Sequence, residues 1–251
     1  MAGNFVQLHN HTHYSLLDGA SKVPDLVKRV KELGMPAVGI TDHGNMHGAY
    51  ELWRAAVDSG VKPIIGIEAY VTPETARQDK TRVSWDTNWT PVPGHARNPD
   101  DVSGGGLITH LTMWAENDEG LVNLIKASSV ANLEGRVMRY PRMDKEVLST
   151  YSKGVIASSG CPSGIIQTRL RLGQFDEALR AAGEFQDIFG KDNFYIELMD
   201  HGLSIESKVT GDLLTIAKKL GAPLLATNDS HYVMEADKDA QDAMLCINSG
   251  A

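Results

Sequence analysis

Seven short runs rich in aliphatic and β-branched residues recur along the chain, at about 5–9, 37–42, 62–71, 107–115, 154–159, 194–199 and 223–228, and helical patterns separate most of them. A run of this length bounded by turn residues reads as a buried strand, whereas apolar positions recurring every three to four residues read as a helix packed by one face. Strand and helix alternating over the whole length constrain the chain to an α/β fold, a parallel sheet covered by helices. Closed on itself, such a sheet forms a barrel whose chemistry lies at the C-terminal ends of its strands, and seven units is one short of the common eight.

The helical stripes carry their own boundaries. Val23, Leu26, Val27, Val30 and Leu33 form the clearest, with Ser21 as the predicted N-cap, Pro24 in the first turn and Gly34 as the stop. Others are Leu121, Leu124 and Ile125 after Asp118, then Phe175, Ala178, Leu179 and Ala182 after Gly173, and finally Ile205, Val209, Leu213, Ile216, Ala217 and Leu220, ended by Gly221. One segment, about 72–106, breaks the rhythm: it is polar and holds Trp85, Trp89, Pro91, Pro93, Pro99 and three consecutive glycines from Gly104. It reads as a surface insertion whose tryptophans pack locally or meet a partner. His95 and Arg97 lie within it and are assigned no catalytic role.

At 251 residues and 42% hydrophobic, the chain can close one substantial core. No long apolar run or signal peptide is visible, which predicts a cytoplasmic protein away from membranes. Cys161 and Cys246 lie in different contexts and read as two free thiols of a reducing compartment. The formal charge of −8 argues against a self-sufficient nucleic-acid binder, because backbone affinity comes chiefly from Lys and Arg. Bound cations alter that balance locally and turn an acidic hole into an anion trap. Composition thus favours a small phosphate-bearing substrate, or DNA delivered by another domain.

The residues at the predicted strand ends point to chemistry. His9 and His11 leave the first strand, and Asp18 follows in the loop Leu16-Leu17-Asp18-Gly19. The second strand ends Thr41-Asp42-His43-Gly44, and the third carries Glu68. His110, Cys161, then Asp229 and His231 arise from later strand ends. Side chains at i and i+2 of a strand share a face, so His9/His11 and Asp229/His231 can each grip an ion. Taken singly, a buried His is more often hydrogen-bonded than metallated, and Cys is commonly a small core residue. Their convergence on one barrel mouth is what such readings leave unexplained. Imidazole, carboxylate and thiolate together suit divalent transition ions, and polynuclear sites of this type cleave phosphate esters with water as nucleophile. Asp42 is a candidate supporting partner, and His13, His47 and His201 stay outside the ligand set.

At these residues the chain resembles a PHP (polymerase and histidinol phosphatase) domain, of the branch found at the N-terminus of the bacterial replicative DNA polymerase III alpha subunit. The matching stretches are FVQLHNHTHYSLLDGA, LVKRVKELGMPAVGITDHGNMHGAYELWRAA, KPIIGIEAYVTP, GCPSGIIQ and ATNDSHYVMEADKDAQDAML, which span essentially the whole chain apart from the insertion. The phrase Tyr14-Ser15-Leu16-Leu17-Asp18-Gly19 and the Gly44-Asn45-Met46 sequel to Thr41-Asp42-His43 mark that branch rather than the stand-alone phosphatases.

The resemblance implies a distorted (β/α)7 barrel, a single PHP domain over 1–251, with a trinuclear metal centre at the C-terminal ends of the strands. His9, His11, Glu68 and Asp229 would hold one ion. Glu68 would bridge to a second, held also by His110 and Cys161, and Asp18, His43 and His231 would hold the third. Cys161 stands where other family members carry His, and a thiolate tilts the expected metal toward Zn²⁺ over Mn²⁺ or Mg²⁺. Asp18, Glu68 and Asp229 are the expected catalytic carboxylates. Three functions compete: a 3′-5′ exonuclease proofreading DNA synthesis, with a primer 3′ end delivered by the remaining polymerase domains and other replisome subunits as possible partners; a metal-stabilised docking module without turnover; and a stand-alone phosphatase of a small metabolite. Ala240, Ala243, Met244 and Ile247 begin an amphipathic helix that the sequence soon ends, which predicts the N-terminal fragment of a longer polymerase.

Overall fold

The computed structural model describes residues 5–95 and 97–250. In chain order its elements are α1 (Val23–Glu32), β1 (Ala37–Ile40), α2 (Ala49–Ser59), β2 (Lys62–Val71), a short turn α3 (Ser103–Gly106), β3 (Thr109–Ala115), α4 (Asp118–Glu134), β4 (Arg136–Val137), β5 (Tyr140–Met143), α5 (Lys145–Thr150), β6 (Val155–Ser158), α6 (Ile165–Arg171), α7 (Phe175–Phe189), β7 (Phe194–Leu198), α8 (Ser204–Leu220), β8 (Leu224–Ala226) and α9 (Lys238–Ser249). The strands form one mixed sheet with helices packed on its outside, the α/β class expected.

The sheet closes through its first segment. Residues 5–9 form no regular strand; isolated bridges hold this stretch of chain on both sides. Gly39 N–H donates to the Gln7 carbonyl at 2.7 Å, tying the segment to β1. On the other flank His11 N–H donates to Ser230 O at 2.8 Å, and Ser230 N–H donates to His9 O at 3.1 Å. Backbone pairing therefore runs from the N-terminal segment through β1, β2, β3, β6, β7 and β8 and back to that segment. This is the distorted seven-membered barrel, and Gly39 allows the closure: a Cβ there would lie 2.6 Å from Leu8 O.

The direction of one strand corrects the all-parallel expectation. β3 runs antiparallel to both neighbours, β2 and β6. Hydrophobic periodicity identifies a strand but carries no direction, and the polar insertion, rather than a crossover helix, connects β2 to β3. The reversal has a functional consequence: His110 begins its strand yet lies at the same mouth where the parallel strands end. The β4–β5 hairpin, paired to the end of β2, was not anticipated, because strands this short show no periodicity. Ser21 is not the N-cap of α1 either. Lys22 occupies that position without a side-chain cap, while the Ser21 carbonyl accepts from His13 N–H at 2.9 Å.

The insertion is docked rather than merely superficial. Trp85 joins the main core, with the Arg169 guanidinium 3.7 Å from its ring centroid. Asp101 accepts from the backbone N–H of Trp85 at 3.1 Å, and Gln174 Nε2 donates to Trp85 O at 2.9 Å. The buried guanidinium of Arg142 donates to the carbonyls of Leu107, Arg77 and Asp79, joining both ends of the insertion to β5. That core also holds Ile67, Leu111, Met113, Phe185 and Phe194, while Val27, Val30, Ile40 and Leu52 pack separately under α1 and α2. Both thiols are free, Cys161 buried and Cys246 exposed. Among the described residues, no helix is long and apolar enough to cross a membrane.

Candidate metal centre

Glu68 stands at the centre of the mouth, fully buried, and its two oxygens face different groups. Oε2 lies 3.0 Å from His11 Nε2, 3.0 Å from His43 Nδ1 and 3.5 Å from His9 Nε2. Oε1 lies 2.9 Å from His110 Nδ1 and accepts from the Cys161 thiol at 3.1 Å. Asp229 Oδ1 comes within 3.3 Å of His9 Nε2 and 3.1 Å of His11 Nε2. Asp18 Oδ2 lies 2.7 Å from His43 Nε2 and 3.3 Å from His231 Nε2. All the residues expected as ligands thus meet in one cluster. The i, i+2 argument describes His9 and His11 well, but Asp229 sits in a loop beyond β8 with φ 46, so a left-handed backbone, not a strand, aims its carboxylate.

Hydrogen bonding supplies a test of whether this cluster suits an ion. His9 Nε2, His11 Nε2, His43 Nδ1, Glu68 Oε2 and Asp229 Oδ1 are buried and make no hydrogen bond. Each unsatisfied buried polar atom costs about 1–3 kcal/mol, so a cluster of them pointing at one another is costly as a purely structural feature. Divalent cations would give these atoms partners. His9, His11, Glu68 and Asp229 can converge on one ion, as can His43, Glu68 and His110, or His11, His43 and His231. The donor set fits metal.

Without ions, charges within the cluster offset each other. Burial alone would lower the His9 pKa, but Asp229 and Glu197 outweigh it and hold His9 well above its ordinary value. His43 is likewise depressed by burial and driven up to about 10 by Glu68 and Asp18. Burial raises the pKa of each of Glu68, Asp18 and Asp229, yet the facing imidazoles pull all of these carboxyls well below the usual range. Burial pushes the Cys161 thiol up, and Glu68 and Asp229 add to it. Loading the site therefore means expelling protons from imidazoles and thiol.

Supporting groups that sequence reasoning missed fix the ligands. Glu197, buried on β7, lies 2.7 Å from His9 Nδ1 and also accepts from Thr227 Oγ1 and Ser158 Oγ. His9 Nδ1 is thereby the donor, leaving Nε2 to face the centre, the carboxylate–histidine arrangement common behind metal ligands. Ser15 Oγ lies 3.0 Å from His11 Nδ1 and donates to Asp42 at 2.9 Å, so Asp42 supports His11 through Ser15. Gln241 of α9 clamps the Asp18 loop: its Nε2 donates to Asp18 O at 2.5 Å and its Oε1 accepts from Ala20 N–H at 3.1 Å. A lone Glu inside an apolar strand was the available signal for Glu197; nothing local marked Ser15 or Gln241.

Access is graded. His9, His11 and Glu68 are sealed, whereas Asp18, His43 and His110 line a cleft of about 520 Å³ that opens to solvent. Tyr14, Tyr70, Tyr140, Arg136 and Arg139 line its walls. His47 also lines the cleft, His13 is partly exposed outside it near Glu51, and His201 is turned to Glu206 and the Asn228 carbonyl.

A mixed α/β barrel with a carboxylate–imidazole–thiol cage at one mouth and an open cleft beside it defines a class of metal-site proteins. The chain belongs to the PHP domain family, whose model matches residues 7–201. It is 51% identical over 247 residues to the DNA polymerase III subunit alpha of Mycobacterium leprae, and 53% identical over 246 residues to that of Saccharopolyspora erythraea. Each match covers 98% of this chain but 20% of the relative, so the chain spans about a fifth of the length of these curated relatives. The fold is also similar to that of an amidohydrolase from Chromobacterium violaceum, with a TM-score of 0.51 at 14% identity, covering 96% of this chain and 97% of that one.

Proposed function

We propose that this chain is a metal-dependent phosphoesterase domain that acts as a 3′-5′ exonuclease, trimming primer ends during synthesis by a DNA polymerase III alpha subunit. The observation that carries the reading is the complete, mutually facing ligand set with orphaned buried atoms at its centre, beside an open cleft. His9, His11, Glu68 and Asp229 would hold one ion, Glu68, His110 and Cys161 a second, and Asp18, His43 and His231 the third. The Cys161 thiolate favours Zn²⁺, and the oxygen and imidazole ligands also accept Mn²⁺ or Mg²⁺. Bound ions supply Lewis acidity and bring the pKa of a coordinated water to roughly 7.

The chain's own residues do the positioning. Asp18, Glu68 and Asp229 concentrate negative charge that draws cations together, and Glu68 presents one oxygen to each of two neighbouring positions. The outer position, at Asp18 and His43, faces the cleft where a phosphodiester can enter, while the inner one is closed to water from behind. An acidic chain of charge −8 has little general affinity for DNA, so the strand would be delivered by the rest of a longer polymerase, as similarity to the alpha subunits suggests.

The test is degradation of a 5′-labelled primer with a mismatched 3′ end by metal-reconstituted protein and its Asp18→Asn variant. Stepwise 3′ loss that disappears in the folded variant is the expected result. Tightly bound metal with no trimming in either preparation overturns the exonuclease and leaves a docking module. Turnover of small phosphomonoesters alone would point to a metabolite phosphatase.

A further inference from the structure

We propose that Arg139, at the tip of the β4–β5 hairpin, holds a backbone phosphate of a single-stranded nucleic acid at a subsite beyond the phosphate being cleaved. The inference rests on the phosphodiesterase reading above and adds the substrate subsite to it. In a chain with net charge −8, half of the arginines that reach the surface are matched by acids, as Arg77 is by Glu134, Asp144 and Glu146 and Arg180 by Glu74, Glu177 and Glu184, while Arg82 and Arg97 bond backbone carbonyls away from the cleft's aromatic wall. Arg139 and Arg136, which share one wall of the cleft, have no carboxylate partner among the described residues. Arg139 donates to the side-chain oxygen of Asn248 on α9, at 2.8 Å, and its guanidinium carbon lies 5.3 Å from the Tyr140 ring centroid. That neutral partner orients the fork without neutralising it, which leaves donors free for a bidentate phosphate contact.

The route from this charge to the metal cluster is aromatic. Tyr140 meets Tyr70 edge-on with centroids 5.1 Å apart, and Tyr70 stacks against His43 at 5.7 Å. Two phenol rings thus separate the guanidinium from a proposed metal ligand, and ring faces of this kind accept any base. Leu16, which also lines the cleft, is 81% exposed, next to Leu17 with φ 61, an apolar surface held out by a strained turn. The hairpin tip is strained as well. Met138 precedes Arg139 with φ 55, where turns of this length ordinarily use glycine. An arginine pair without a carboxylate partner, beside Tyr140 and Tyr70 on a cleft that also exposes Leu16, is an arrangement suited to gripping a flexible anionic strand.

The probe is a 5′-fluorescein-labelled dT8 with phosphorothioate linkages at its 3′ end, followed by anisotropy against the metal-loaded chain across a salt series. Arg139→Ala and the milder Arg139→Gln should each weaken binding about tenfold, the scale of one lost charged hydrogen bond. Each should also flatten the slope of log affinity against log salt by about 0.7, the signature of one lost phosphate contact on a single strand. Arg139→Lys should restore the slope and only part of the affinity, which a purely structural role would not produce. Unchanged affinity and slope in folded Arg139→Gln overturns the inference, as does wild-type protein that fails to bind dT8. Arg139-dependent binding without cleavage of an unmodified strand would sink the exonuclease reading and leave the subsite standing.

Discussion

Replacing Glu197 by Gln isolates what a buried carboxylate does for a ligand it never shares with an ion. Glu197 lies 2.7 Å from His9 Nδ1, and its other contacts, Thr227 Oγ1 and Ser158 Oγ, are hydroxyls that rotate. Gln keeps the volume, and the hydroxyls can turn to accept from its amide, so packing changes little. What disappears is the negative charge that makes His9 a better base and locks Nε2 toward Glu68 and Asp229. Losing such a partner weakens metal binding about 10- to 100-fold. Chelator competition with Zn²⁺ should show that loss in the tightest binding step, and the melting temperature of the loaded protein should fall more than that of the metal-free protein. Ser158→Ala, which removes a donor to Glu197 and leaves the charge, should move the affinity far less. If Glu197→Gln binds Zn²⁺ within twofold of the parent while both melting temperatures fall together, the carboxylate is a hydrogen-bonding hub of the core and the reasoning fails.

Two further outcomes follow from the same geometry. His43, raised to about 10 in the folded metal-free chain, stabilises it fully below the unfolded value of about 6.5 and loses that contribution as pH rises toward 10, so metal-free protein should melt lower at pH 10 than at pH 7. Metal-loaded protein should be spared that loss, and Zn²⁺ affinity should rise with pH as protons leave the cage; calorimetric melts that decline equally with and without metal would contradict it. Gly39→Ala should cost about 2–4 kcal/mol in denaturant unfolding and reduce bound metal, because its Cβ would press on the Leu8 backbone, 2.6 Å away, and shift His9; full metal content in that variant would contradict the closure described.

How much of this was legible in the sequence differs by element. The candidate ligands were, because metal chemistry restricts residue type sharply: His9, His11, Asp18, His43, Glu68, His110, Cys161, Asp229 and His231 stood out by type and by their place at predicted strand ends, and the fold brings them into one cluster. The strands around them were legible where hydrophobic runs were long, as in β2 and β3, and illegible in direction, since β3 reads the same in either sense. The antiparallel turn of β3 is what brings His110 to Glu68 from the start of a strand. The β4–β5 hairpin escaped notice for a related reason: its strands are too short for a pattern, and Met138 takes the left-handed position where a glycine would have announced the turn. Groups that act on the ligands rather than on an ion, Ser15, Glu197 and Gln241, are ordinary in sequence and acquire meaning only through contacts made 4, 188 and 223 residues away.

Electrostatics ties these parts to the proposed activity. The cage carries three carboxylates, and in the metal-free chain protonated His9 and His43 offset part of that charge. Three divalent ions would bring roughly six positive charges into that space while displacing those protons, so the mouth changes from a self-neutralised cluster to a local anion trap. Arg136 and Arg139 extend the same sign along the cleft wall. Nothing comparable is needed elsewhere on a chain of net charge −8, where a general affinity for DNA would compete with delivery of the strand end. On this account the attraction for nucleic acid is conditional: it is confined to one cleft and depends on the ions. Binding of dT8 should therefore collapse when chelator removes the metal, even though Arg136 and Arg139 remain in place.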